Sequence, residues 1–311
     1  MKVVVTGGAG FIGANLSRAL RRQPQVTEVV VVDDFSTGKR SNLTDPGVSV
    51  VEGSILDLAA LDQAFVSATS VVHLAARPSV PRSISDPVAS HEANASGTVA
   101  VLEAARRHGV GHVVVASSSS VYGANPTLPK HEDLTPQPLS PYAASKLATE
   151  AYALAYQQSF GLGVLAFRFF NVFGPLQDAG HAYAAVIPAF VSAALADEPL
   201  PVHGDGLQTR DFTFVDSLTS VLVDAVLRQV TYERPVNLAF GGRTDLLTVI
   251  GLLEDILGHA LKRQHSEPRA GDVRDSQADQ TLLRELFPQI APTDLVTGLE
   301  ATVDWFVNGR N

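Results

Sequence analysis

The chain has 311 residues, 45% of them hydrophobic and 18% charged, and carries a net charge of −9. That profile belongs to a globular protein able to bury a large core, as one big domain or one with a smaller appendage. No run approaches the roughly 20 apolar residues of a membrane span, and the first residues pass directly into a strand pattern with no signal-like segment, so a cytoplasmic location is expected. The acidic balance argues against a nucleic-acid-binding surface but not against a local basic pocket. With no cysteine the chain has no disulfides or thiolate metal sites, and its nine histidines lack metal-ligand spacing, so no metal centre is expected.

Near-continuous β-branched runs at 2–6, 28–33, 48–52, 70–74, 112–116 and 163–168 are the pattern of parallel strands covered on both faces. Helical patterns at 12–22, 58–66, 93–108 and 142–160 alternate with them, so the first half predicts an α/β fold, a doubly wound parallel sheet of the Rossmann type. After about residue 171 the rhythm gives way to loops rich in Pro, Gly and Asp, with helices predicted near 186–196, 215–228, 246–257 and 280–286. The expected division is a nucleotide-binding domain over 1–170, rejoined by a segment near 210–240, and a smaller, mostly helical lobe over 171–209 and 241–311.

Between the first strand and the first helix lies Thr6-Gly7-Gly8-Ala9-Gly10-Phe11-Ile12-Gly13. In that context Gly7 permits the turn, Gly10 lets the backbone approach a pyrophosphate, and Gly13 lets the helix pack on the strand. Asp33 ends the second strand about 20 residues later, where a carboxylate accepts hydrogen bonds from an adenosine ribose and repels a 2′-phosphate. Asp34 adds to the repulsion and Lys39 and Arg40 oppose it, so NAD is favoured over NADP.

Tyr142 and Lys146 stand four residues apart in Tyr142-Ala143-Ala144-Ser145-Lys146 and share one helical face. A free Tyr ionises near pKa ~10, so a phenolate base at neutral pH needs a depression of roughly three units, about 4 kcal/mol. A partly desolvated Lys146 ammonium together with a positive nicotinamide ring could supply it. The hydroxyls of Ser117–Ser120 follow the strand at 113–116 and leave the carboxyl end of the sheet, where ligands bind in such folds. The combination predicts hydride chemistry.

At these residues the chain resembles the extended short-chain dehydrogenase/reductase family, and within it the nucleotide-sugar 4-epimerases. The resemblance runs over essentially the whole length, through TGGAGFIG, Asn94-Ala95-Ser96-Gly97-Thr98, SSSSVYG, YAASK, Arg168–Gly174, Thr209-Arg210-Asp211-Phe212 and Arg269-Ala270-Gly271-Asp272. It is strongest to the UDP-N-acetylglucosamine 4-epimerases, through Ser79-Val80-Pro81-Arg82-Ser83-Ile84, residues 182–188 and Gly241-Gly242-Arg243-Thr244. It implies inversion at C4 of a UDP-hexose through a 4-keto intermediate, with Tyr142 as base, Lys146 holding the nicotinamide ribose, and Ser118 bonding the 4-oxygen. It places Gly7, Gly10, Phe11, Ile12, Gly13, Asp33, Ser54, Ile55, Leu74, Ala75, Ala76 and Asn94 at the cofactor with Tyr142 and Lys146. Ser79, Ser118, Ser119, Asn171, Arg210, Arg269, Asp272 and Ser276 fall at the substrate, and the small Ser276 leaves room for an N-acetyl group.

Two departures stand out. Relatives carry an acid where this chain has Ser54, and Arg77-Pro78 replaces their Leu-Gly. Dehydratase and decarboxylase relatives carry carboxylates where this chain has Ser118, Ser119 and Ser120, which demotes both reactions. UDP-glucuronate 4-epimerisation, and a non-catalytic NAD or nucleotide-sugar sensor, stay open as alternatives. The resemblance also implies a homodimer, through helices matching 93–107 and 143–159.

Overall fold

A computed structural model describes residues 1–180, 185–267 and 273–309. In chain order the first half runs β1 (Lys2–Thr6), α1 (Phe11–Arg21), β2 (Glu28–Asp33), β3 (Val48–Glu52), α2 (Leu58–Phe65), β4 (Ser70–His73), α3 (Val80–Ser85), α4 (Pro87–His91), α5 (Gly97–Arg107), β5 (His112–Ser118), α6 (Pro141–Phe160) and β6 (Gly163–Phe169). It continues with β7 (Asn171–Phe173), α7 (Val186–Leu195), β8 (Leu200–His203), β9 (Thr209–Arg210), β10 (Phe212–Phe214), α8 (Val215–Arg228), β11 (Val236–Leu238), β12 (Thr244–Asp245), α9 (Leu246–Leu257), β13 (Arg263–Ser266), α10 (Thr281–Leu286) and α11 (Leu295–Asn308).

Seven strands make one parallel sheet in the order β11-β6-β5-β4-β1-β2-β3. The valine runs show why. Val3, Val5, Val29 and Val31 enter the core on one face, while Val4, Val30, Val32 and Val71 enter the core on the other, so every second residue is buried by a different helical layer. Of these seven strands β3, at the edge, is the one largely exposed, with Val50 at 39%. Strand order reverses between β1 and β4, and a crevice opens there at the carboxyl ends of the strands.

The sheet has one strand more than the sequence periodicity predicts, β11, which pairs with β6 through Val236, Asn237 and Leu238. Helix α8 packs on α1 against the same sheet. The second lobe has its own core, built on Phe190, Val191, Leu200, Val249, Ile250, Leu253 and Leu299, and among the described residues it holds, besides its helices, three two-stranded sheets: β10–β7, β12–β9 and β13–β8. No helix among the described residues is long and apolar enough to cross a membrane, and none of their acidic or imidazole groups cluster as a metal site.

Candidate active site

A cleft of about 1100 Å³ lies over the strand ends and is walled by both lobes. Its floor is the turn after β1. Gly7 has φ +71, and a Cβ there would sit 2.7 Å from the Ala75 backbone; one on Gly13 would sit 2.2 Å from the Gly7 carbonyl oxygen. A side chain at either position would close the cradle that α1 opens, and backbone N–H groups at a helix start suit a pyrophosphate.

Asp33 closes the far side of this cradle. Its Oδ2 accepts from the Ala9 N–H at 2.8 Å and its Oδ1 from the Phe35 N–H at 2.9 Å. Burial pushes its pKa up, and those two N–H groups pull it back. Each oxygen keeps acceptor capacity for a ribose hydroxyl. The two cations that could welcome a 2′-phosphate are engaged by acids instead. Lys39 pairs with Asp178 at 2.9 Å and Arg40 pairs with Glu52. The residues present therefore fit NAD.

Phe11, Ile12, Ser54, Ile55, Leu74, Ala75 and Ala76 line the same cleft. Ser54, the residue at the missing acid's position, accepts from the Leu56 N–H at 3.2 Å. Asn94 does not line the cleft. It is buried, accepts from the Arg77 N–H at 2.7 Å and donates to the Ser145 hydroxyl at 2.9 Å, tying the strand-end loop to α6.

Helix α6 begins where Ser140 caps the Ala143 N–H at 3.1 Å and Pro141 presets the first turn. This puts Tyr142 in the first turn and Lys146 in the second, both on the cleft wall beside Ser118 at the end of β5. Lys146 is 5% exposed, and its ammonium donates to the Ala116 carbonyl at 2.8 Å. Burial pulls its pKa down to about 8, against the attraction of Glu150. The Tyr142 phenol stands beside Lys146 and Ser118 on this wall. Burial pushes its pKa up, and the opposing influence comes from a hydrogen bond with Ser118.

Ser79, Asn171 and Arg210 also line the cleft. Ser79 holds φ +108, a sparsely populated backbone region for a residue with a side chain, and caps α3 by accepting from the Arg82 N–H at 3.4 Å. Asn171 donates to the Asp211 carbonyl at 3.3 Å, and Arg210 to the carbonyls of Thr209 and Arg274, both at 2.9 Å. Ser119 and Ser276 lie outside the described cleft wall, Ser276 beside β9 through its N–H to the Thr209 carbonyl at 3.1 Å. Arg269 and Asp272 lie outside the described residues. Arg77, unexplained by the sequence, reaches Asp86 at 3.0 Å and so braces the start of α4.

Sequence reasoning missed three groups. Glu150 and Arg168 form a buried pair beneath Lys146. His73 is buried between Thr6 and Thr98, 2.7 and 3.1 Å away, with burial driving its pKa down to about 3. Asp211, fully buried, accepts from the Gly241 and Ala278 N–H groups at 3.0 Å each, and its pKa rises to about 6 through burial. Arg168 in an otherwise apolar strand was the visible signal for the first of these.

The family model for the NAD dependent epimerase/dehydratase family matches residues 3–239. A UDP-glucose 4-epimerase of Mycolicibacterium smegmatis is 37% identical over 318 residues, covering 99% of each chain. The structure of a UDP-N-acetylglucosamine 4-epimerase from Methanobrevibacter ruminantium, in complex with UDP-N-acetylmuramic acid, superposes with a TM-score of 0.93 at 34% identity, over 99% of this chain and 98% of that one. A UDP-glucuronic acid 4-epimerase from Bacillus cereus, with UDP-glucuronic acid and NAD, superposes at 0.89 and 31% identity, over 99% of both chains. With its glycine cradle, its Asp33 and this full-length likeness, the chain belongs to the NAD dependent epimerase/dehydratase family.

Proposed function

We propose that this NAD-dependent UDP-sugar 4-epimerase inverts C4 of the UDP-GlcNAc and UDP-GalNAc pair and also accepts UDP-glucose and UDP-galactose. The observation that supports it is the grouping of Ser118, Tyr142 and Lys146 in one cleft with the glycine turn. Tyr142 takes the proton of the sugar 4-hydroxyl, Ser118 holds the 4-oxygen, and Lys146 supplies a positive charge that favours the phenolate. The glycine turn and Asp33 would hold NAD, which would supply the acceptor and donor for the C4 hydride. The 4-keto sugar turns over in the cleft between the two transfers, Tyr142 returns the proton, and the net redox change is nil. Asn171 contacts the substrate, and Arg210, Arg269 and Asp272 hold the UDP moiety, where guanidinium groups suit a diphosphate.

A UDP-uronic acid is the second reading. Arg77 and Arg82 line the cleft, and a guanidinium pairs well with a sugar carboxylate. The Arg77–Asp86 pair favours the neutral sugars, since that guanidinium already faces an acid. A panel of UDP-GlcNAc, UDP-GalNAc, UDP-glucose, UDP-galactose and the UDP-uronic acids, assayed for C4 inversion without added NAD, tests the reaction and ranks the substrates. No inversion of any of them, with tight binding of NAD and a UDP-sugar, would point to a sensor.

Ser276 supplies a sharper test of the acetyl preference. It stands next to the segment that carries Arg210, and Ser276→Tyr is expected to lower kcat/KM for the acetylated pair at least tenfold by steric exclusion while the plain pair is preserved. Equal losses on both pairs would remove Ser276 from the specificity role. A homodimer and a cytoplasmic location belong to the same proposal, and light scattering on the purified protein tests the first.

A further inference from the structure

Glu150 takes no part in the reaction as described, and the inference drawn from it deepens that reading. It follows Lys146 by four residues on α6, so the two side chains leave the same helical face. Arg168 of β6 grips its carboxylate with two parallel hydrogen bonds, Nε to Oε1 and Nη2 to Oε2, both 2.9 Å. Both side chains are 3% exposed. The Ser117 hydroxyl shares its proton between the Glu150 carboxylate and the Lys146 carbonyl, the latter 3.3 Å away. Ser117 stands between Ala116, whose carbonyl receives the Lys146 ammonium, and Ser118, which bonds Tyr142.

A buried ion pair is weak support for a fold, because an apolar pair of similar volume is often as stable or more so. Its location therefore needs another account. Lys146 sits where burial favours loss of its proton, and the surrounding groups divide clearly. On β4, His73 is neutral at physiological pH and adds no charge. On β6, Arg168 is repulsive but lies behind Glu150, with its guanidinium 4.7 Å from the Tyr122 ring and its Nη1 3.5 Å from the Glu132 carbonyl. On α6 itself, Tyr142 is a neutral phenol until it gives up its proton. Glu150 is the carboxylate placed to attract the ammonium.

We propose that Glu150 is a positioning residue of the Tyr142–Lys146 pair: clamped by Arg168 and Ser117, it keeps the Lys146 ammonium charged and fixes the end of β5 that carries Ser118. It touches neither sugar nor cofactor and acts through Lys146 and Ser117.

The test uses the NAD-loaded protein. Glu150→Gln alone leaves Arg168 buried without a counter-charge and endangers the fold, so it is paired with Glu150→Gln/Arg168→Met, which removes both charges at similar volume. Two readouts are taken: the absorbance titration of the Tyr142 phenolate, with Tyr142→Phe subtracted, and the pH profile of kcat. The double variant is expected to melt within a few degrees of the parent and to retain NAD. Its phenolate titration should move up by roughly one pH unit, and the alkaline limb of kcat should move down by about as much, because Lys146 loses its proton more readily. The phenolate titration needs no turnover, so it decides the proposal even if the parent epimerises none of the sugars offered. A phenolate titration that matches the parent's, or a double variant that cannot fold, assigns the pair to the scaffold and overturns the proposal.

Discussion

Tyr142→Phe is expected to lower kcat by roughly 10²–10⁴-fold, the range that a positioned acid–base group supplies. The phenol is the group on the cleft wall that both approaches Ser118 and shares a helical face with Lys146. Burial holds it protonated in the protein alone, so its conversion to a base depends on positive charge brought close to it, from Lys146 and from the nicotinamide ring. Phenylalanine keeps the ring and most of the packing surface but has no proton to exchange. The loss should therefore appear in kcat, while the dissociation constant of the UDP-sugar changes less than threefold, the signature of an interaction made only in the transition state. Stability should fall by no more than about 1 kcal/mol, since one hydrogen bond to Ser118 is removed. Single-turnover kinetics on the NAD-loaded variant decides it, and near-parental turnover would take the base role away from Tyr142.

Much of this arrangement is legible in the sequence because the physics is local and repetitive. A strand buried on both faces must be apolar at consecutive positions, so the valine runs of β1 and β2 announce themselves. The start of α6 is equally readable, since Ser140 and Pro141 carry capping chemistry that works in any context. Helices α3 and α4 are hidden for the opposite reason. Residues 79–91 have no apolar period, and their conformation is set by Ser79 in a strained backbone and by caps from Ser79 and Asp86. The paired strands of the second lobe are two to four residues long, too short to carry a period. Glu150 and Arg168 are 18 residues apart in the chain, and only the packing of α6 on β6 brings them together. The state of the Tyr142 phenol is a property of burial, which four-residue spacing cannot report.

Asp33→Ala is expected to strip the cofactor. The parent, denatured after purification, should release NAD, whereas the variant should release a small fraction of one equivalent. Two losses combine. The ribose loses its acceptor, and the Ala9 and Phe35 N–H groups lose the oxygens 2.8 and 2.9 Å away that tie the glycine turn to the end of β2. A charge-assisted bond of this kind is worth about 1.5–3 kcal/mol, which corresponds to a ten- to hundredfold weaker affinity. Removing the carboxylate also removes the repulsion that excludes a 2′-phosphate, so the ratio of NADP to NAD affinity should rise even as both weaken. Complete reversal is not expected, because Lys39 and Arg40 are held by Asp178 and Glu52 and would have to leave those partners to meet a phosphate. Chromatography of the released nucleotide, followed by titration of each stripped protein with both cofactors, measures the two effects separately. Release of NADP by the parent would show that the carboxylate at Asp33 does not set the preference.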